Sequence, residues 1–203
     1  MFYETKDHHG LAYDPFKAIV APRPIGWIST LDKNGVPNLG PYSFFNGVCD
    51  KPPIIMFSSG GMKDSAQHAA DTGEFTFNFV SNFLKDKMNT SSAPWPRGHS
   101  EFEESGLEMA EGITVACPRV AAAAASLECK VLQFVQPETL DGSLSPYIMV
   151  IGQATGIHIA DDMITDGRFD LVKANPIMRA GYHDYVGMGE LFEMVRPNYD
   201  PPA

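Results

Sequence analysis

The chain is poor in cysteine, short of positive charge and without a long apolar run. Its three cysteines, Cys49, Cys117 and Cys129, lie far apart among 203 residues, with no Cys-x-x-Cys pair. An odd, scattered set argues against a disulfide framework and points to a reducing compartment. Fifteen Lys and Arg face 25 Asp and Glu, for a net charge of −10, which argues against nonspecific binding to nucleic acid or an anionic membrane. No segment approaches the roughly 20 apolar residues of a membrane span, and the first ten residues lack a signal-peptide stretch. A cytoplasmic location is therefore expected. Neither G-x-G-x-x-G nor G-x-x-x-x-G-K occurs, so a dinucleotide-binding Rossmann domain and a P-loop are disfavoured. Six histidines are scattered. His8 and His9 read as solvated, His158 as an outward strand residue, and His68, His99 and His183 as isolated, so no metal site is expected. Glu103-Glu104 and Asp161-Asp162 read as solvated faces rather than an acid/base pair.

What is present is an ordinary globular composition, 44% hydrophobic and 20% charged, expected to form one domain over residues 1–203. The first strand pattern covers residues 21–30 and a second extended run covers 38–46. Asp32-Lys33-Asn34-Gly35 lies between them, a strong hairpin signal because Asn and Gly tolerate positive φ. A third strand, 54–59, is bounded by Pro52-Pro53 and Gly60-Gly61. Helical patterning runs from Asp64 to the stop signal Thr72-Gly73. In 74–81, Phe75, Phe77 and Phe79 share one face, expected in the core, with Thr76, Asn78 and Val80 opposite. Residues 125–135 alternate loosely, 147–151 read as a strand buried on both faces, and 152–160 continue extended. The alanines at 121–125 fit either a helix or an edge segment. Residues 83–112 are a long polar excursion, either a lid or a solvated insertion. Many strands and few helices favour a mainly β fold, an antiparallel barrel with peripheral helices.

Two segments carry candidate chemistry. The hairpin sets Ser43, Asn46 and backbone donors beside aromatic rings, which suits a flat heteroaromatic ligand with polar edges. Trp27 either stacks on such a ring or fills the core, and Tyr42, Phe44 and Phe45 share that ambiguity. Residues 58–65, Ser-Ser-Gly-Gly-Met-Lys-Asp-Ser, follow a strand and open a helix, where orphan N–H groups and the macrodipole favour an anion. Lys63 adds charge and Ser65 a hydroxyl. Equally, Asp64 is a plain N-cap and the serines turn formers. Cys49 has no partner base and is expected to be a buried structural thiol.

Arg-Pro-Ile-Gly-Trp-Ile-Ser-Thr at 23–30, Asn-Leu-Gly-Pro-Tyr-Ser-Phe-Phe-Asn at 38–46, Lys63-Asp64-Ser65 and Thr72-Gly73-Glu74-Phe75 occur in this order. Met88-Asn89, Glu101-Phe102, Gly106-Leu107 and Leu127-Glu128-Cys129 follow them. Together they resemble the flavin reductase-like family of FMN-binding split barrels, from about residue 14 to 185. The resemblance implies an antiparallel split β-barrel and an FMN cofactor. Contacts to FMN are implied for Thr30, Asn38, Ser43, Phe44, Asn46, Ser58, Lys63, Asp64 and Ser65, with Trp27 and Arg179 as further candidates. The segment from Asn175 to Tyr185 resembles a family segment but carries Tyr182 where a second glycine is usual. Arg179 there is assigned to the flavin phosphate, to the nicotinamide or to a surface salt bridge.

The implied activity is an NAD(P)H:flavin oxidoreductase passing hydride from nicotinamide C4 to flavin N5, with no protein acid, base or nucleophile as catalytic residue. The implied partners are NADH or NADPH, a second copy in a homodimer, and an oxygenase or other electron-acceptor protein. The alternatives are a flavoredoxin-like carrier holding FMN tightly, or a non-catalytic split barrel that binds another planar ligand or a partner.

Overall fold

The computed structural model describes residues 1–96 and 98–198; Arg97 and residues 199–203, part of the expected 1–203 unit, lie outside the described residues. Seven strands form the main sheet: β1 Gly26–Leu31, β2 Pro37–Tyr42, β3 Phe45–Asp50, β4 Pro53–Gly60, β5 Glu74–Asn78, β6 Ala125–Val135 and β7 Tyr147–Ile159. Every pairing is antiparallel, and the order across the sheet is β2-β1-β5-β6-β7-β4-β3.

The chain passes from one edge strand, β2, to the other, β3, through Ser43 and Phe44 alone. In a flat sheet the six gaps of about 4.8 Å would hold these edges about 29 Å apart. The step from Tyr42 to Phe45 spans at most about 11 Å. The sheet must therefore curl until its edges meet. Closure is visible where the Tyr42 ring rests on Phe57, centroids 4.9 Å apart, and where the Ser58 amide donates to the Phe44 carbonyl at 2.8 Å. The mainly β, curled antiparallel barrel matches the expected fold class. The expected single run over 38–46 does not hold, because the chain turns the barrel's corner at residues 43–44.

The β1–β2 turn is built as its sequence directs. Gly35 takes φ 82°, and the Asp32 carboxylate accepts from the Asn34 and Val36 amides. Only Gly35 of the Asn-Gly pair adopts positive φ. The helix expected from Asp64 is α1, Asp64–Thr72, ended by Gly73 at φ 75°.

Two apolar clusters hold the molecule. The barrel interior gathers Ile28, Ile55, Phe57, Phe75, Cys129 and Val150, with Ala66 and Ala69 of α1 packed among them. A second cluster on the outer face of β1 and β2 joins Trp27 and Leu39 to Leu84, Met88, Phe102 and Leu107. Residues 83–112 are thus neither a mere lid nor a solvated insertion: their apolar side chains close this second core. α2, Lys85–Thr90, and α3, Glu101–Glu104, lie within this stretch. Residues 121–124 form a turn and bend rather than a helix.

Four local expectations are corrected. In β5 the polar face is as buried as the aromatic one. Thr76 donates to the Cys117 carbonyl, and Asn78 bonds the Trp27 carbonyl, Ser29, Ser126 and the Val120 amide, so the chain around 117–120 roofs it. Cys49 is exposed on edge strand β3, while Cys117 and Cys129 are buried. In β7 only Val150 among residues 147–151 is fully enclosed. His158 is not simply outward, since its Nε2 lies 2.5 Å from the wholly buried Glu128 carboxylate. Burial pushes that carboxyl up, but bonds from the Thr114 hydroxyl, His158 and the Thr114 and Ile113 amides outweigh it and hold its pKa at about 2.

Candidate functional site

The start of α1 faces edge strand β2 across a cavity of about 520 Å3. Asn38, Tyr42, Lys63, Asp64, Ser65 and Glu101 line it, with residues 91–95 as the far wall, ending in Trp95. Lys63 caps the helix in extended conformation (φ −74°, ψ 172°). The first intrahelical bond runs from the Gln67 amide to the Lys63 carbonyl, so the first-turn amides have no acceptor within the helix.

A chain of polar contacts ties the two walls together. The Asn38 amide donates to Thr30 Oγ1 at 3.2 Å and to Ser65 Oγ at 2.8 Å. Thr30 in turn lies 3.3 Å from His68 Nδ1. Burial pushes the Tyr42 hydroxyl pKa up, and the neighbouring Ser65 and Ser59 hydroxyls oppose it. From α3, Glu101 Oε2 accepts the Leu39 amide at 2.9 Å. Burial pushes the Glu101 carboxyl up, the Leu39 amide opposes this, and nearby Asp64 pushes it further up. The cavity therefore combines a cationic, donor-rich corner at Lys63 and Ser65 with two carboxylates and two aromatic rings. Such an arrangement suits a ligand with an anionic end and a flat body. Among the described residues, no group of three His, Cys, Asp or Glu side chains is placed to hold a metal ion.

A second cavity, of about 380 Å3, adjoins the first at Pro41 and Ser92. Its lining includes Lys17, Arg23, Ser43, Arg179 and Tyr182.

A family model, the flavin reductase like domain, matches residues 20–173. The chain belongs to the flavin reductase-like family. An uncharacterised protein of Aquifex aeolicus is 34% identical over 174 residues, covering 83% of this chain and 85% of its own length. Another, from Halalkalibacterium halodurans, is 34% identical over 183 residues, covering 88% and 87%. Among solved structures, nitrilotriacetate monooxygenase component B from Bacillus cereus superposes with a TM-score of 0.86 at 27% identity, covering 96% of this chain and 98% of that one. Flavoredoxin of Desulfovibrio vulgaris superposes at 0.76 with 20% identity, covering 95% and 97%, a likeness of fold. A flavin-related oxidoreductase on a split-barrel fold follows from family membership.

Within this family member, the residues singled out in the sequence divide into three groups. Asn38, Lys63, Asp64 and Ser65 meet in the first cavity. Ser43 and Arg179 meet in the second. The other five line neither. Trp27 is fully enclosed in the second core, its indole N–H donating to Ser91 Oγ at 2.9 Å. Thr30 is also enclosed, beneath Asn38. The corner at residues 43–44 carries Phe44 to Tyr147, 5.7 Å between centroids, and places Asn46 on β3 opposite Met56 of β4. Ser58 lies on β4, held to that corner through its amide. The Arg179 guanidinium donates to the Tyr182 carbonyl and sits 4.5 Å over the Tyr185 ring.

Sequence reasoning overlooked Glu101, Trp95 and Arg23 as lining residues. Glu101-Phe102 had a signal as a motif of the resemblance, but nothing local showed that its carboxylate returns to β2, 62 residues away in sequence.

Proposed function

We propose that this chain is a flavin reductase that binds FMN between β2 and the start of α1 and takes hydride from NADH or NADPH. The carrying observation is the meeting of Lys63, Ser65 and the first turn of α1 with β2 in one cavity, within a flavin reductase-like chain. The donor set fits the cofactor. Lys63, the Ser65 hydroxyl and the helix start would hold the phosphate, and Tyr42 and Trp95 offer faces to a flat ring. Bound flavin would supply the hydride-accepting ring system. The protein's share is positional: Asn38 orients Ser65 and keeps its hydroxyl beside the helix start, while Glu101 fixes the β2 edge through Leu39. Residues 91–95 shield the cavity from water on its far side.

The electron acceptor in this reading is an oxygenase or another protein, in keeping with the name of the component B relative. Two copies would pair as a homodimer in the cytoplasm. Leu132 and Phe134 are exposed on β6, apolar side chains suited to a contact with a second copy. Light scattering after gel filtration tests this, and a monomer removes it.

The deciding experiment is the visible spectrum of the purified protein, as isolated and after adding FMN, with NADH and NADPH consumption measured at saturating FMN. Flavin uptake with turnover supports the proposal. A tightly yellow protein with negligible turnover would mark an electron carrier. Failure to take up FMN at micromolar concentration would remove the flavin assignment.

A further inference from the structure

We propose that His68 directs the hydrogen bonds that reach Ser65 through Thr30 and Asn38, so that a proton on its ring turns the Ser65 hydroxyl away from an anion in the first cavity. That the anion is the flavin phosphate rests on the reading above; the coupling of His68 to Ser65 does not.

The coupling is built from local structure. Thr30 and Asn38 stand opposite each other across β1 and β2, so their side chains leave the sheet on the same face. Ser65 and His68 lie three positions apart on α1 and are neighbours on the helix surface. The two elements meet in a chain of four side chains: Ser65 Oγ, the Asn38 amide, Thr30 Oγ1 and His68 Nδ1. Ser65, Asn38 and Thr30 are buried. His68 is half-buried and lines a further cavity of about 280 Å3, where solvent protons reach its ring. Asp32 and Lys33 of the β1–β2 turn, Asp64 and Asp71 of α1, and His99 and Glu101 line that cavity too. Lys33 pairs with Asp71 at 3.2 Å. The Val36 amide, against burial, holds the Asp32 pKa low, so Asp32 keeps its charge at neutral pH.

Each hydroxyl carries one hydrogen, which gives the chain a direction. In the neutral ring with its proton on Nε2, Thr30 donates to Nδ1 and accepts one N–H of Asn38. The other Asn38 N–H goes to Ser65, whose own hydrogen is left for Tyr42 or the ligand. A proton on Nδ1 reverses the first bond, because both nitrogens of an imidazolium are donors. Among the described residues the Thr30 hydroxyl bonds only to His68 and Asn38, so its hydrogen then needs an acceptor on Asn38. Turning the Asn38 amide over supplies the oxygen, which accepts from Thr30 and Ser65 together. Ser65 thereby presents lone pairs, not a hydrogen, to the anion. Coulomb attraction between the imidazolium and the anion acts in the opposite sense, so the sign of the pH effect separates the two. His68 is thus a positioning residue, acting on the ligand through Ser65.

The test has two arms. In the first, nitrogen-15 NMR of the ligand-free, full-length protein follows the Asn38 side-chain NH2 and the His68 ring from about pH 8 to about pH 5.5, the range in which imidazoles change charge. The two sets of signals should titrate together, and Thr30→Val or His68→Gln should leave the Asn38 signals flat. In the second, FMN and riboflavin are titrated by fluorescence into the parent and Thr30→Val over the same range, and melting curves confirm folding. Asp32, Asp64, Asp71, His99, Glu101, the His68 charge and the flavin phosphate are common to both proteins, so the ratio of affinities isolates the chain. On acidification the parent should lose FMN affinity relative to Thr30→Val by at least about threefold, less than the full worth of a hydrogen bond to a charged group. Riboflavin, which lacks the phosphate, should show a constant ratio. The proposal is overturned if the Asn38 signals do not follow His68, if the FMN ratio is flat or moves the other way, or if riboflavin shows the same change. If FMN does not bind at all, the flavin reading fails, and the NMR arm alone decides the coupling.

Discussion

Glu101 and Glu128 are both carboxylates that accept backbone amides, yet their surroundings drive them in opposite directions. Glu128 is fully buried and receives the Ile113 and Thr114 amides, the Thr114 hydroxyl and His158, and its pKa falls to about 2. Glu101 is half-buried, receives only the Leu39 amide and its own, sits near Asp64, and is pushed up. Burial opposes ionisation in both; the number of donors decides the outcome. The first is a staple that holds the chain at 113–114 onto the barrel. The second lines the cavity proposed above for FMN, and perturbed carboxyls tend to collect at functional sites.

The strongest way to break this contrast is to remove the staple. Glu128→Ala leaves two amides, a hydroxyl and a histidine without their acceptor. A loss of about 3–5 kcal/mol is expected in urea unfolding, the range for breaking a buried pair, with the FMN spectrum of the folded fraction unchanged. A loss below about 1 kcal/mol would show that water replaces the carboxylate.

Acid titration of the parent protein sharpens the same contrast. Glu128 has a folded pKa below its unfolded one, so its contribution is complete above about pH 4.5 and disappears as pH falls toward 2. The depression corresponds to about 3 kcal/mol. Glu101 is shifted the other way, so protonation on acidification favours the folded state. Unfolding followed from pH 6 to pH 2 should show a net loss of stability that Glu128→Gln reduces, the remainder coming from Asp141, Asp32 and Asp170, whose pKa values their own hydrogen bonds also lower. An unchanged slope in that variant would mean that other carboxylates dominate.

The two carboxylates also mark what the sequence could reveal. Helix α1 was legible because its start, length and glycine stop are local, and the corner of Lys63 and Ser65 came with it. The hairpin was legible from Asn34-Gly35. The barrel's corner was not, since a run of small and aromatic residues at 38–46 reads as one strand until edge-to-edge closure forces a turn at Ser43 and Phe44. Contacts across sequence stayed hidden for the same reason. Arg23 bonds Ala180 over 157 positions, and no periodicity announces such a pair. Trp27 shows the limit of residue type: an aromatic beside a candidate site belongs more often to the core, and the core took it.

On the cavity itself, Lys63→Ala should weaken FMN binding by roughly 1–3 kcal/mol, the range for a charged hydrogen bond. Fluorescence quenching of titrated FMN measures it. Unchanged affinity would take the phosphate away from this corner, whatever else binds there.

The smallest expected effect tests Glu101 most directly. Glu101→Gln keeps an acceptor for the Leu39 amide but removes a negative charge from a cavity assigned to an anionic ligand. FMN should bind more tightly by about 0.5–1 kcal/mol, the scale of a partly solvated charge pair. The gain should shrink as added salt shortens the screening length below about 8 Å. The flavin phosphate titrates near neutrality in its own right, so either protein's pH profile mixes two groups. The difference between the two profiles isolates Glu101: it should be largest at neutral pH and vanish once the parent carboxyl is protonated. If Glu101→Gln instead weakens FMN at every pH, the carboxylate accepts a hydrogen bond from the ligand. Glu101 would then resemble Glu128 after all, with its missing donors supplied by the bound cofactor.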